Sequence, residues 1–189
     1  MTKSNILLIR HAEKPDKCLH ETGIDNHGRD DPYSLSKKGW QRAKGLVGLF
    51  TNEEDRLPVP DRIFASAFRP EGGHSRRPEQ TALPLSETLH CPIDLTWALH
   101  QEKELSVVLS GLKGTSLVCW QHQGLADLAK AVLVTQWFSA LQEWPPDCYD
   151  MIWRISRSGS ETRWSFVSYH MTDDGRLQLH ADETGRPPL

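Results

Sequence analysis

The sequence lacks long apolar runs and an excess of positive charge. Its longest apolar stretches, such as residues 6–9 and 131–134, fall far short of the roughly 20 residues that cross a bilayer. The formal net charge is -3, so there is no global positive field to hold nucleic acid or an acidic membrane surface. We therefore expect a soluble protein without nucleic acid or membrane as partners, in which any anion site is local.

The chain also has few cysteines, and they are irregularly spaced. None of the four forms a CxxC pair; they are Cys18, Cys91, Cys119 and Cys148. The apolar run near the N-terminus is too short for a secretory signal peptide. This pattern indicates reduced thiols and a cytoplasmic protein rather than a disulfide framework.

A length of 189 residues suits one compact domain, and no internal repeat or low-complexity tract divides the chain. We therefore predict a single domain over residues 1–189, with a polar tail at 174–189 that is expected to be loose. The sequence carries no signal for the oligomeric state.

Strand and helix patterns alternate along the chain, which favours an α/β fold. Continuous apolar residues at 5–9 predict a strand that is buried on both faces. The late strands alternate in polarity, which favours antiparallel pairing near a sheet edge. The predicted strands are 5–9, 62–66, 94–97, 115–120, 151–156 and 164–169, and the predicted helices are 36–50, 78–89, 102–112 and 125–141.

Two histidines and two arginines occupy positions that favour a function. Arg10 and His11 follow the first strand, His122 follows the strand at 115–120, and Arg77 begins the helix that follows another strand. Ligands of open α/β sheets bind beyond the carboxyl ends of the strands. Each residue is a weak signal alone, but the set points to a phosphate site.

Five segments resemble motifs of one family in order and spacing. They are Ile-Leu-Leu-Ile-Arg-His-Ala-Glu at 6–13, Leu-Ser-Lys-Lys-Gly-Trp-Gln-Arg-Ala at 35–43, Ile-Phe-Ala-Ser at 63–66, Arg-Pro-Glu-Gln-Thr-Ala at 77–82 and Leu-Val-Cys-Trp-Gln-His at 117–122. Across roughly residues 5–135 the chain thus resembles the histidine phosphatase (phosphoglycerate mutase-like) superfamily. The resemblance implies a three-layer sandwich with a mixed, mostly parallel central sheet flanked by helices.

The resemblance also implies a metal-independent hydrolase that needs no cofactor. It would hydrolyse a phosphomonoester through a phosphohistidine on His11, in a small phosphorylated metabolite or a phosphoprotein. Arg10 and Arg77 would grip phosphate oxygens, and a cationic His122 would stabilise the charge on the transferred group. These roles agree with the requirements of phosphoryl transfer, which are positioning of the reactants and stabilisation of negative oxygens.

The proton donor is less clear from the sequence. The family often places it after the third strand, which favours Glu102 slightly over Glu104, although both suit a solvated helix face. Glu13 matches a family glutamate and is predicted to bind substrate or to hold its own loop. Arg76 is predicted to reach phosphate from an inserted loop, and Lys14 adds positive charge near the site.

The chain departs from the family pattern at several positions. Ala12 and Gln123 replace usual glycines, and extra residues separate Ser66 from Arg77. Arg69 competes for the second arginine role, but it lacks the Gln-Thr-Ala that follows Arg77. The insertion is interpreted as a plain surface loop or as a loop that contacts substrate.

No metal site is predicted, because the histidines that first suggest one lack the spacing of a zinc site. They are His20, His27, His74, His90 and His100.

Three other functions stay open: a mutase, a phosphate- or phosphopeptide-binding module without turnover, and a zinc hydrolase. A mutase needs a lid that excludes water, for which the chain has no large insertion. A zinc hydrolase would lose activity to chelators.

Overall fold

A sheet of seven strands forms the centre of the molecule in the computed structural model, which describes residues 3–51, 57–69, 75–133, 143–158, 164–172 and 177–179. The strands are β1 (Ser4–Arg10), β2 (Arg62–Ala65), β3 (Ile93–Asp94), β4 (Gly114–Trp120), β5 (Met151–Arg157), β6 (Ser165–Met171) and β7 (Leu177–Leu179). The helices are α1 (Lys37–Gly45), α2 (Gly48–Thr51), α3 (Arg77–Leu89), α4 (Glu102–Gly111) and α5 (His122–Leu133).

The sheet is parallel on one side and antiparallel on the other. Its order is β3-β2-β4-β1-β5-β6-β7. The first four strands of the chain pair in parallel, and β5, β6 and β7 are added antiparallel beyond β1. The predicted mixed α/β sheet is confirmed. The carboxyl ends of β1, β2 and β4 therefore meet at one edge, where the start of β5 also lies.

Helices cover both faces of the sheet, which gives the predicted three layers. Side chains of β1 alternate between the faces, as they must in a strand. Ile6 and Leu8 pack in the cluster that contains Leu105 of α4 and Leu128 of α5. Leu7 and Ile9 belong to the opposite cluster, which is completed by Leu46 just after α1, by Leu49 and Phe50 of α2, and by Ala82 and Leu85 of α3. Burial on both faces explains the continuous apolar run in the sequence.

The predicted helix at 36–50 is broken in the structure. Ser36 caps α1 as expected, with its Oγ accepting a hydrogen bond from Gly39 N at 3.0 Å. The helix ends at Gly45, and α2 begins at Gly48. Val47 N donates to Lys44 O, three residues earlier, which closes a tighter turn than that of an α-helix. Two glycines within four residues lower the helix propensity enough to permit this break.

Other boundaries also differ from those predicted. The third strand was predicted at 94–97, but β3 ends at Asp94. The side chain of Asp94 forms a turn there, because its Oδ1 accepts a hydrogen bond from Thr96 N at 2.9 Å. Helix α5 begins at His122 rather than at residue 125, whereas α3 continues through Pro84 to Leu89 as predicted. The predicted end of α5, at 134–141, lies outside the described residues.

The C-terminal tail contains an element that the sequence did not predict. Residues 177–179 form β7, whose Leu177 pairs with Met171 of β6. The rest of 174–189 lies outside the described residues. Among the helices that the structure describes, none is long and apolar enough to cross a membrane.

Replacing Gly39 in α1 is expected to destabilise the fold, because a Cβ at that position would lie 2.4 Å from the carbonyl oxygen of Glu13. We expect Gly39→Ala to lower the free energy of unfolding by about 1–3 kcal/mol, as overpacking against backbone does. Gly45→Ala in the same helix is the matched control, since a Cβ there would meet nothing within 4 Å. It should raise stability by up to about 1 kcal/mol. Urea unfolding measures the stability of both variants. Equal changes in the two would contradict the close packing of Gly39 against the Glu13 carbonyl.

Candidate active site

The first strand delivers two functional residues to the sheet edge. Arg10 pairs with Trp120 in the parallel register, and His11 N then donates to Trp120 O at 2.9 Å. On the next strand over, Ser66 N donates to Cys119 O at 3.1 Å. Residues that follow β1, β2 and β4 are thus held side by side by main-chain hydrogen bonds.

His11 is held as one tautomer of the neutral ring. Its Nδ1 lies 2.8 Å from Ala12 O, and because a carbonyl only accepts, Nδ1 carries the hydrogen. Burial lowers the pKa of His11 to about 3; the Ala12 carbonyl opposes this, while the positive charges of Arg10, of Arg77 and of His122 when it is protonated add to it. The ring is therefore neutral near pH 7, and Nε2 carries a lone pair. The charges that act on His11 indicate that Arg10, Arg77 and His122 all lie within electrostatic reach of the ring.

Arg10 is clamped by the loop that precedes β5. Its Nη1 donates to Pro146 O and, at 3.4 Å, to Cys148 O, and its Nη2 donates to Tyr149 Oη at 3.1 Å. The Tyr149 ring stacks under the guanidinium, with 3.8 Å between Cζ and the ring centroid. Burial lowers the pKa of Arg10, opposed by Tyr149 and Asp147. The guanidinium is thus oriented before any ligand binds.

Arg77 is oriented in the same manner from the first turn of α3. Its Nε donates to Ser34 O at 2.9 Å and its Nη2 to Pro32 O at 2.7 Å. Burial lowers the pKa of Arg77, as does the charge of Arg10, whereas Tyr149 and Asp31 raise it. Tyr149 thus interacts with both arginines. Each guanidinium keeps further N–H groups beyond those that bind carbonyls.

Gln80 and Thr81, which follow Arg77 in the motif, hold α3 against the loops that carry His11 and Ser34. Thr81 Oγ1 accepts from Ala12 N at 2.8 Å and donates to Arg77 O at 2.7 Å, which ties α3 to the loop after β1. Gln80 accepts from Leu35 N at 2.9 Å through Oε1. Its Nε2 donates to Ser34 Oγ at 2.8 Å. These two side chains position the arginine and the histidine.

His122 lies at the start of α5 and is neutral in the free protein. Burial lowers its pKa, and the charges of Arg10 and Lys14 lower it further, while Asp147 raises it. The cationic His122 predicted from the sequence is thus not favoured near pH 7 without a ligand. A bound phosphate would offset the positive charges and raise that pKa.

Buried polar atoms without partners concentrate at this edge. Among the described residues, four buried side-chain nitrogen or oxygen atoms have no hydrogen-bond partner. Three belong to residues at the ends of β1, β2 and β4: Arg10 Nε, Ser66 Oγ and Gln121 Nε2. Buried donors are rarely left unpaired, so such a group is a sign of a ligand position. Two of the three are N–H donors, which suit an anion.

Two predicted substrate-binding residues have partners within the protein. Glu13 binds Arg42 with both carboxylate oxygens, at 2.7–3.0 Å. Burial would raise the pKa of Glu13, but the hydrogen bonds and charge of Arg42 outweigh it and lower the pKa. Exposed Arg76 stacks on Phe68 at 4.4 Å and lies 3.5 Å from Asp31. Glu13 thus fixes its loop to α1, and the described side-chain contacts of Arg76 are with Phe68 and Asp31.

Glu102 is buried at the start of α4, whereas Glu104 is exposed. Glu102 Oε1 accepts from Trp120 Nε1 at 2.8 Å and from His100 N at 3.0 Å. A Cβ at Gly124 would lie 2.2 Å from that oxygen, so α5 also packs closely against the carboxylate. Glu102 is therefore joined to the last residue of β4, two positions before His122.

The rival arginine, Arg69, is exposed and binds the main chain just after β3. Its Nη2 donates to Thr96 O at 3.4 Å. Gly72, Gly73 and His74 of the insertion lie outside the described residues.

Tyr149 and Asp147 were missed by the sequence analysis. A signal for them was available: the late strands were predicted to be antiparallel, and an antiparallel neighbour of β1 begins at the edge where β1 ends. The residues just before it, Pro145 to Asp150, were therefore candidates to meet Arg10.

The chain matches no protein-family model and no curated protein sequence. Among solved structures it is similar to a phosphoglycerate mutase from Plasmodium falciparum, at 13% identity and a TM-score of 0.50, over 98% of this chain and 94% of that one. It is also similar to a candidate phosphohistidine phosphatase, SixA, from Nakamurella multipartitia, at 11% identity and a TM-score of 0.52, over 97% and 98%. These similarities confirm the predicted phosphoglycerate mutase-like fold.

The buried neutral ring of His11 should make the stability depend on pH. Below pH 6.5 the unfolded chain binds a proton on this histidine that the folded chain does not bind until about pH 3. His11 therefore contributes a fall of about 1.4 kcal/mol per pH unit in the unfolding free energy on acidification within this window. His11→Asn should remove that part of the slope in urea unfolding between pH 7 and pH 4. His27→Asn, at an exposed position, should keep the wild-type slope. If the unfolding free energy depends on pH with the same slope in the wild type and in His11→Asn, the lowered pKa of His11 is contradicted.

Proposed function

We propose that the protein is a phosphatase that hydrolyses phosphomonoesters through a phosphohistidine on Nε2 of His11. The observation that carries the proposal is the state of that ring: the Ala12 carbonyl holds the hydrogen on Nδ1 and burial keeps the ring neutral. Nε2 then carries the lone pair that a nucleophile needs. Arg10, Arg77 and His122 supply the surrounding donors.

In the first step, Nε2 of His11 attacks phosphorus. The N–P bond forms as the bond from phosphorus to the ester oxygen breaks, and the leaving oxygen takes a proton from an acid. In the second step, water attacks the phosphohistidine, gives up a proton to the same acid's conjugate base, and releases inorganic phosphate. One difficult displacement is thus divided into two easier ones, and His11 returns to its starting state.

Arg10 and Arg77 would stabilise the charge on the nonbridging oxygens. The main-chain carbonyls that hold them leave the unpaired Nε–H of Arg10 and the remaining Nη hydrogens of Arg77 for phosphate. Donors held in place by the protein need no reorganisation during the reaction. His122 would become cationic as the phosphate offsets the positive charges around it.

Water is the proposed acceptor because the sequence has no large insertion to form a lid that excludes it. The proposed substrates are small phosphorylated metabolites or phosphoproteins. Substrate selectivity in such a site depends on residues around the phosphate pocket. Candidates are Tyr149, which stacks on Arg10, and exposed Arg76, which precedes Arg77 in the chain.

His11→Ala should abolish turnover, because it removes the nucleophile. We expect release of phosphate from p-nitrophenyl phosphate to fall at least about 1000-fold, as for other catalytic nucleophiles. The exposed His27→Ala is the control and should keep wild-type activity. Rapid acid-free quenching should also reveal phosphate bound to His11 in the wild type by mass spectrometry.

Two results would contradict the mechanism. One is activity that survives the loss of His11. The other is a wild type that binds phosphate saturably but releases none from a broad panel of phosphomonoesters, which would favour a binding module.

Glu102 is the proposed acid, and its hydrogen bond to Trp120 gives it a competing structural role. Substrates with different leaving groups distinguish proton donation from the structural role. A p-nitrophenolate ion leaves without being protonated, whereas an alkoxide needs a proton from an acid. We expect Glu102→Gln to slow hydrolysis of an alkyl phosphate by about 100-fold or more, with a much smaller effect on p-nitrophenyl phosphate.

Glu104→Gln is the matched control, on the exposed side of the same helix turn, and should leave both substrates unaffected. An equal loss on both substrates in Glu102→Gln would assign Glu102 a structural role only.

A further inference from the structure

Three potential metal ligands meet where β5 and β6 pair. Asp150 immediately precedes β5, and its carbonyl accepts from Met171 N at 2.9 Å. His170 is a residue of β6, in register with Met151. Cys148 lies two residues before Asp150. The thiol, one carboxylate oxygen and one imidazole nitrogen all lie within 4.8 Å of one another.

The contacts within this group join all three side chains through the carboxylate. Cys148 Sγ lies 3.2 Å from Asp150 Oδ1, and His170 Nδ1 lies 3.0 Å from Asp150 Oδ2. A carboxylate only accepts, so the thiol and the imidazole each donate a hydrogen to it in the metal-free state. A cation would take the place of those two hydrogens between the same three side chains.

The ligand set suits zinc better than a hard cation. Thiolate, imidazole and carboxylate are the zinc ligands of proteins, with bonds of about 2.0–2.3 Å. Ligand atoms arranged tetrahedrally at such bond lengths are about 3–4 Å apart. The thiol and the imidazole lie 3.2 Å and 3.0 Å from the carboxylate, and the three ligand atoms lie within 4.8 Å of one another, so a small closure would bring them around one cation. All three residues are partly exposed, so a cation could enter and water could complete the coordination.

We propose that Cys148, Asp150 and His170 bind a thiophilic divalent cation, with Zn²⁺ as the ligand that their chemistry fits best. Binding would release the proton of the Cys148 thiol to solvent, and the hydrogen on His170 Nδ1 would move through solvent to Nε2, which frees the Nδ1 lone pair for the cation. Among the described residues this is the one cluster with such ligand separations. It does not depend on the proposed phosphatase reaction, which uses no metal.

The site differs from the sequence-based expectation of no metal for a topological reason. Cys148 and His170 are 22 positions apart and meet only because β5 and β6 pair antiparallel. The site is also linked to Arg10, whose Nη1 lies 3.4 Å from the carbonyl oxygen of Cys148. A bound cation would therefore stiffen the loop that clamps this arginine.

Cobalt titration of the chelator-treated, reduced protein tests the proposal. We expect one Co²⁺ per chain and a near-ultraviolet sulfur-to-cobalt charge-transfer band that Zn²⁺ removes. Cys148→Ser should abolish the band, and His170→Asn should shift the titration to at least about tenfold higher cobalt concentration. The controls Cys18→Ser and Cys91→Ser should keep both the band and the affinity.

A second measurement needs no variant. Zn²⁺ should slow alkylation of Cys148 by iodoacetamide at least about tenfold, while exposed Cys18 reacts at an unchanged rate. A wild type that shows no cobalt–thiolate band, a band that persists in folded Cys148→Ser, or alkylation of Cys148 that zinc does not slow would each overturn the proposal.

Discussion

The parallel pairing of β1 with β4 is the constraint on which the site depends. It sets Arg10 opposite Trp120, lets His11 N bond to the Trp120 carbonyl, and brings His122 to the same edge two residues later. Parallel strands end together, so one register places a nucleophile and its electrostatic partners side by side. A slip of one residue would turn Arg10 and the buried leucines of β1 to the wrong faces.

Around this edge the protein concentrates positive charge that it also desolvates. Burial and mutual repulsion lower the pKa values of His11 and His122, and burial lowers those of Arg10 and Arg77. Such an arrangement is costly without an anion, because like charges repel in a poorly solvated site. Main-chain carbonyls and the Tyr149 ring offset part of that cost, and a phosphate would offset more. The overall charge of -3 thus coexists with a local cationic site.

The antiparallel addition of β5 brings a second group of side chains to the same edge. Because β5 begins where β1 ends, its preceding loop supplies Tyr149, Asp147 and the carbonyls that hold Arg10. The cysteine, aspartate and histidine cluster lies in this loop and on the next strand. The arginine clamp and the proposed cation site therefore share one segment, residues 146–150.

The sequence by itself determined the layers of the fold and the principal polar residues of the edge. The apolar run of β1 predicts a doubly buried strand, and Arg10, His11, Arg77 and His122 follow strands at positions that α/β topology brings together. Boundaries were less predictable, as the break between α1 and α2 shows, because marginal helix propensity lets local packing decide where a helix ends.

Only the tertiary structure decided the state and partners of those residues. The tautomer of His11 follows from the Ala12 carbonyl, the pairing of Glu13 with Arg42 from the docking of α1, and the engagement of Glu102 by Trp120 from the packing of α4 beside α5. Tyr149 meets Arg10 across 139 positions of chain. Local sequence encodes local propensity, whereas a pKa or a hydrogen-bond partner is set by groups that approach in space.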